Sequence, residues 1–497
     1  MSELSFLCNE QSSFLAKKNA VFYQLLGISK AVSLIFFCSV KKYEMRRILL
    51  IGISTILFMV SQAQDIDGIS GATRTQQKND TINTDLSDPE FDKFRLGGYG
   101  EMLMSFKNYG INRFYGGSNG NSRTHRTTIA IPRFVLALDY KFNDNWLLGA
   151  EIEFEAGGTG TAVELENTEN GEYETEVEKG GEVALEQFHL TRKIIPQFNV
   201  RAGHIIVPVG LTNYCHEPIN FFGTSRPEGE TTIIPSTWHE TGLEFFGQVE
   251  AGLASFDYEA MLVTGLNANG FDRNTWVAKG KQGFFEEDNF YSPAYVARLN
   301  WRGIQGLRIG GSVYYCEDTG DNSDKEASYK SIDDASLFIW TADAQYKCQY
   351  LTARANIING NLEASEELTG INTKLSNKSP YSRTGPVAKK AIAYGGELGV
   401  NIAGIFNNAK MPAIMPFARY EYYNPQEEGA GMQTMDKRCQ VSMWTFGMNY
   451  YVLPNLVVKA DYTTRHIGTD KMFGSGKYND ENEFSIGLAY VGWFVTK

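Results

Sequence analysis

Two histidine–glutamate pairs, His216-Glu217 and His239-Glu240, are the closest approach in this sequence to a hydrolytic zinc site. Neither has the second histidine four residues on that would put two imidazoles on one helix face. No G-x-S-x-G elbow is present. The Gly, Ser and Asn string from Gly116 to Ser122 lacks the histidine two positions before a serine that an outer-membrane phospholipase would need. The six cysteines are scattered without a C-x-x-C, so neither a zinc site nor a disulfide framework is signalled. Enzymatic chemistry is therefore not expected. What remains is charge. Glu151 to Glu186 holds twelve glutamates and one lysine, Lys179. It reads either as a solvated surface loop or as a divalent-cation site, with Glu164, Glu166, Glu174, Glu176 and Glu178 as candidate calcium ligands, because hard cations prefer clustered carboxylates. Such a cation would brace the loop or bridge lipopolysaccharide phosphates.

The basic residues need elements to position them, and the pattern supplies strands. Phe94, Leu96, Gly98, Gly100, Met102, Met104 and Phe106 share one face, and Arg95, Tyr99, Glu101 and Ser105 share the other. That is a period of two. Phe134 to Phe142 repeats it, and after Asn143-Asp144-Asn145 so does Trp146 to Phe154, which predicts a hairpin. Further strands are predicted to start near residues 183, 199, 240, 256, 294, 307, 336, 351, 391, 415, 441, 456 and 483, for a total of sixteen. Short connections alternate with long ones, the longest at about 156–182, 207–239 and 358–390. That alternation fits an antiparallel transmembrane β-barrel with short periplasmic turns and long external loops. A soluble sandwich would also alternate, but strands of 10–14 residues exceed its usual length. Aromatics also gather at the ends of the apolar faces, as interfacial girdles do.

On these strands Arg133, Arg201, Arg298, Arg308, Arg354, Arg419 and Lys459 fall on the polar faces of seven different strands. On the lipid face an arginine would cost roughly 2–4 kcal/mol at the midplane, so the lumen is the expected place. There they either set a transverse field for solutes or pair with acids such as Glu101, Asp139, Glu397 and Asp461.

Mean hydropathy of −0.29 is too low for repeated spanning helices, and 13% aromatics is too much for a disordered chain. Met45-Arg46-Arg47, the uncharged stretch Ile48 to Val60 and Ser61-Gln62-Ala63 read as a secretory signal over 45–63. Residues 1–44 then read as an over-extended start, 64–92 as a polar periplasmic leader too short to be a plug domain, and 93–497 as the barrel. Removing residues 1–63 takes away seven basic and three acidic side chains and leaves a net charge of −16. The acidic run accounts for −11 of it, so the overall acidity says little about the pore. No nucleic-acid partner is expected.

Several strings, in order, resemble a known family. They are Leu96-Gly97-Gly98-Tyr99-Gly100-Glu101, Ile131-Pro132-Arg133-Phe134, and Arg201-Ala202-Gly203-His204 leading to Val207-Pro208-Val209-Gly210. Together with the signal and a closing strand, Glu483 to Phe494, ending in an aromatic, they are similar to the phosphate-selective porin O and P family. The resemblance implies a Gram-negative outer-membrane channel, passive, usually trimeric, and used by small anions. It also implies that the third external loop, 207–239, folds inward as the constriction. Phe221, Phe222, Ile233, Ile234 and Trp238 are then expected to pack on the wall. His216, Glu217, Arg226, Glu228, Glu230 and His239 are expected to face the solute path. The competing expectations are an external lid for this loop and, for the whole chain, a non-conducting barrel with a structural or surface-interaction role.

Overall fold

Side chains alternate along each strand in the sense opposite to that of a water-soluble protein. On one strand Arg298 is 2% exposed while its neighbour Leu299 is 53% exposed. A polar interior and an apolar exterior of this kind suit a wall whose outer solvent is lipid. A computed structural model describes residues 91–109, 124–158, 161–167, 173–179, 181–282, 287–323, 329–374, 386–406, 412–469 and 481–496. All belong to the unit Ala72–Lys497. Segments 1–44, 45–63 and 64–90 lie outside the described residues.

Sixteen strands close into one antiparallel barrel. They are β1 (Phe94–Tyr109), β2 (Thr124–Asn143), β3 (Trp146–Glu155), β6 (Glu182–Ile195), β7 (Phe198–Ile206), β8 (His239–Val249), β9 (Phe256–Val263) and β10 (Ala294–Ile304), followed by β11 (Leu307–Cys316), β12 (Leu337–Lys347), β13 (Leu351–Leu362), β14 (Lys390–Val400), β15 (Ile414–Glu428), β16 (Val441–Leu453), β17 (Leu456–Ile467) and β18 (Glu481–Thr496). Each pairs with its neighbours in sequence, skipping only the hairpin of β4 (Thr161–Asn167) and β5 (Tyr173–Lys179), and β18 pairs with β1. The last strand runs past Phe494, because Val495 and Thr496 pair with Leu96 and Arg95. Closure leaves no unpaired edge in lipid, where each unsatisfied backbone group would cost several kcal/mol.

The acidic run adds an element the sequence reading did not expect. β4 (Thr161–Asn167) and β5 (Tyr173–Lys179) form a separate hairpin, with Glu164 opposite Glu176 and Glu166 opposite Glu174. The calcium expectation for Glu164, Glu166, Glu174, Glu176 and Glu178 rests on side chains that lie outside the described residues.

The exterior carries exposed Leu, Ile, Val and aromatic side chains. Cross-strand and same-strand aromatic pairs stack on it, among them Phe198 with Phe245, Tyr394 with Tyr422 and Trp444 with Phe446. The interior divides into two. Toward the long loops it is filled: Phe271, Trp276 and Tyr329 from loops 264–293 and 317–336 are fully buried in one apolar cluster with Trp238, Ile233 and Ile234. Toward the short turns it opens into a cavity of about 1430 Å³, lined by turn residues such as Asn145, Pro196, Gly306 and Pro454.

Candidate functional site

The 207–238 segment, between β7 and β8, crosses the barrel interior and is held by seven strands of the wall. Arg133 Nη2 on β2 donates to the His216 carbonyl at 2.6 Å. His216 Nε2 lies 2.9 Å from Glu186 Oε1 on β6. Tyr214 donates to Glu259 on β9 at 2.8 Å, and Arg298 on β10 donates to the Gly210 carbonyl at 3.1 Å. Asn356 on β13 donates to Glu230 at 2.8 Å. The Gly229 N–H donates to Glu421 on β15 at 3.1 Å. Lys459 Nζ on β17 donates to the carbonyls of Pro218, Phe221 and Gly223, the last two at 2.7 and 2.9 Å.

The loop's local fold follows from its residues. A short helix, α1 (Glu228–Ile233), begins after Pro227 and carries Glu228 and Glu230 in its first turn, where the N-terminal end of the helix dipole favours acids. Glu230 folds back on the incoming chain and accepts the N–H groups of Asn213 at 2.7 Å and Leu211 at 3.2 Å. Gly210 has φ +88°, and a β-carbon there would sit 2.2 Å from Glu230 Oε1, so glycine serves both the turn and the close approach. At the other wall a β-carbon on Gly399 would lie 2.4 Å from the Phe222 ring, which explains how that ring seats against β14 and stacks on Phe417.

The expected inward fold of the five apolar residues matches their burial: Phe221, Phe222, Ile233, Ile234 and Trp238 are each at most 3% exposed. The six polar residues differ from expectation. His216, Glu217, Glu230 and His239 are buried, and none of the six lines the large cavity. The reason is desolvation: a buried polar group must be paired, and the loop uses these side chains as its own fasteners. His239 meets His204, and Lys281 Nζ lies 3.1 Å from its Nε2. Glu217 accepts from Asn220 at 2.7 Å. Arg226 is half-buried and donates to Ser236, and Glu228 is half-buried and pairs with Arg465 at 2.6 Å.

Burial alone would lower the His216 imidazole, but the Glu186 carboxylate beside it raises it to about 9. Burial pushes the Glu230 carboxyl up to about 7, against the N–H groups of Asn213, Thr212 and Leu211, which favour its charged form. The docked loop therefore holds a proton that a released loop, with the ordinary value of 4.5, would give up. Docking is at full strength below about pH 4.5 and weakens as pH rises through about 7, by up to about 3 kcal/mol at 1.36 per pH unit. The melting temperature of the folded barrel is expected to fall between pH 5 and pH 8. Glu230→Gln is expected to flatten that part of the profile, and an identical profile in the variant would place the proton elsewhere.

The seven basic wall residues divide by depth. Arg133, Arg298, Arg419 and Lys459 are buried at 2–4% exposure against the third loop and do not wet a lumen. Arg201, Arg308 and Arg354 line the cavity. Most are paired with acids: Arg201 with Glu244 at 2.8 Å and Arg354 with Glu397 at 2.5 Å across strands, and Arg419 with Glu421 at 2.9 Å along β15. Asp343 holds both Arg298 at 2.6 Å and Arg308 at 3.0 Å. The sequence reading missed Asp343, although its parity along β12 with Thr341 and Gln345 would place it on the lumen face. It also missed Arg302, which lines the cavity and pairs with Asp257.

No family model matches the chain. A protein of Aquifex aeolicus (strain VF5), described only as uncharacterized, is 24% identical over 401 residues, which is 80% of this chain and 79% of the relative. Among solved structures, the OmpF of Salmonella typhi in complex with daunomycin aligns over 82% of this chain and 99% of its own at a TM-score of 0.50 and 10% identity. The DcaP channel of Acinetobacter baumannii aligns over 80% and 97% at 0.46 and 12% identity. The anion-selective porin of Comamonas acidovorans aligns over 80% and 99% at 0.45 and 8% identity. The OmpF likeness shows a shared fold. A closed sixteen-stranded barrel, apolar outside and charged inside, is a porin-type barrel of the Gram-negative outer membrane.

Proposed function

We propose that the chain is a passive porin for small polar solutes, with the third loop as its constriction, and with 45–63 as the export signal. The observation that carries this reading is the loop itself: it crosses the interior above a wide, charged cavity open at the short-turn mouth and is fastened to seven strands. A barrel of sixteen strands is wide enough for water, so an inserted segment decides what passes. A second reading, a non-conducting barrel with a structural or surface-interaction role, draws support from the apolar packing of Phe271, Trp276 and Tyr329 under the long loops. Purified protein in planar bilayers separates the two. Stepwise conductance supports the porin; persistent silence from a folded barrel supports the alternative.

Selectivity is expected to be weak or modestly anionic. The cavity carries Lys193, Arg201, Arg302, Arg308, Lys347 and Arg354 against Asp144, Glu244, Glu250, Asp257 and Glu259, a near balance despite the acidic whole. The resemblance to phosphate-selective porins supports the same sign. Reversal potentials in a salt gradient at low ionic strength, where screening is least, test it; strong cation selectivity would refute it. The assembly we propose is a heat-modifiable homotrimer in contact with outer-membrane lipid and lipopolysaccharide, and a homogeneous monomer in mild detergent would reject the trimer.

A further inference from the structure

The two ends of the acidic run meet the third loop at one point inside the barrel. Glu151 on β3, Glu186 on β6 and His216 on the loop present two carboxylate oxygens and an imidazole nitrogen within 4.8 Å of one another, and all three side chains are buried. The β3–β6 register slips there. Glu151 faces Gln187 and Ile152 faces Leu185, so Glu186 is the extra residue of a bulge, a device that re-aims a side chain. Tyr99 holds Glu186 in place by donating to its carboxylate at 3.0 Å.

One buried carboxylate oxygen at this point, Glu151 Oε2, is left without a partner. The Asn213 carbonyl, 3.2 Å from His216 Nδ1, accepts only, so Nδ1 carries a proton and Nε2 is the atom turned to Glu186. A backbone carbonyl on one ring nitrogen is the arrangement that orients the other as a metal ligand. His216 Nε2 has the Glu186 carboxylate beside it, but Glu151 Oε2, buried at the same point, has no hydrogen-bond partner. A proton on His216 would satisfy Glu186 and still leave Glu151 Oε2 unpartnered in a desolvated place, which is costly. A cation among the three would satisfy Glu151 Oε2 and take the place of a proton between His216 and Glu186.

We propose that Glu151, Glu186 and His216 bind one first-row transition dication, of which zinc is the type, and that this ion ties the third loop to the barrel wall. One imidazole and two carboxylates, without a thiolate, are a mixed nitrogen and oxygen set that suits zinc and its neighbours. Calcium and magnesium take oxygen sets. Each ligand comes from a different element, so the ion would cross-link β3, β6 and the loop.

The test uses the full-length folded barrel, stripped with chelator and titrated calorimetrically with zinc chloride alone. One zinc per chain is expected. Glu151→Gln, nearly isosteric, and His216→Asn are each expected to weaken binding on the order of tenfold or more. Millimolar calcium or magnesium is expected to leave the zinc titration unchanged. A variant with residues 159–180 replaced by a short linker removes the acids of the hairpin and is expected to bind as the wild type does. Absence of saturable binding overturns the proposal. So does binding that survives both substitutions, or binding lost only with the hairpin, which would place the cation on the external loop. Heat-modifiable gel mobility establishes that each variant is folded, and Glu151→Gln decides alone if His216→Asn does not fold.

Discussion

Deleting residues 219–234 is expected to raise single-channel conductance severalfold and to admit larger solutes. The excised stretch contains Phe221 and Phe222, the helix α1 and the buried Ile233 and Ile234, the part of the loop that reaches the far wall at β13 to β17. None of it belongs to a barrel strand, so the sixteen-strand ladder and its closure by β1 and β18 are untouched. Pro218, Pro227 and Pro235 restrict the loop's backbone, which lowers the entropy lost in holding one inserted shape and so favours a fixed constriction. The deletion leaves Glu421 and Asn356 without their loop partners, but water entering the vacated space can hydrate both. The check is conductance together with liposome swelling across a series of sugars of rising size. Unchanged conductance from a correctly folded deletion would move the narrowing to the packed loops 264–293 and 317–336.

The barrel was legible because its signal is local. A strand needs only alternate residues to agree, and the starts expected at 256, 294, 307, 351, 441 and 456 coincide with β9, β10, β11, β13, β16 and β17. The same rule was present but outvoted in the acidic run. Val163 and Leu165 alternate with Glu164 and Glu166, and Tyr173, Thr175 and Val177 alternate with Glu174, Glu176 and Glu178, yet the density of charge argued for a loop.

The interior was half legible. Parity put the basic residues inside, since the alternative was lipid, but parity does not say what a side chain meets there. Lys459 meets carbonyls more than 230 positions away, and His216 meets a glutamate exposed to it by a bulge that no pattern announces. The polar residues of the third loop misled for a related reason. In sequence, charge suggests water. Inside a crowded lumen the same charges are the fasteners, because a long inserted backbone has many carbonyls and N–H groups that need partners.

Lys459→Met is expected to free the tip of the third loop and to turn a steady channel into a noisy, wider one. Lys459 is 2% exposed, and its ammonium group, which also sits 4.3 Å from the centre of the Phe221 ring, is the donor to three loop carbonyls. Two residues further along β17, Asp461 accepts the Thr224 N–H, so the strand grips both the carbonyl and the amide side of the same turn. Methionine fills similar volume but offers no donor, and the three carbonyls are left facing an apolar group. Hydrogen bonds to a charged donor are worth about 1.5–3 kcal/mol each and are not additive, so a loss of roughly 3 kcal/mol of loop docking is expected rather than their sum. Open-channel noise and protease cleavage within residues 216–226 should both rise, while gel mobility stays that of a folded barrel because the β16–β17–β18 pairing is unchanged. Lys459→Arg, which keeps the charge and the donors, should recover much of the quiet behaviour. The deciding comparison is the double mutant with residues 219–234 removed: if the lysine acts through the loop, Lys459→Met costs little once the Phe221 and Gly223 carbonyls are gone. An equal penalty with and without the loop would mean that Lys459 supports the wall itself, and the loop would then be held by the remaining strands alone.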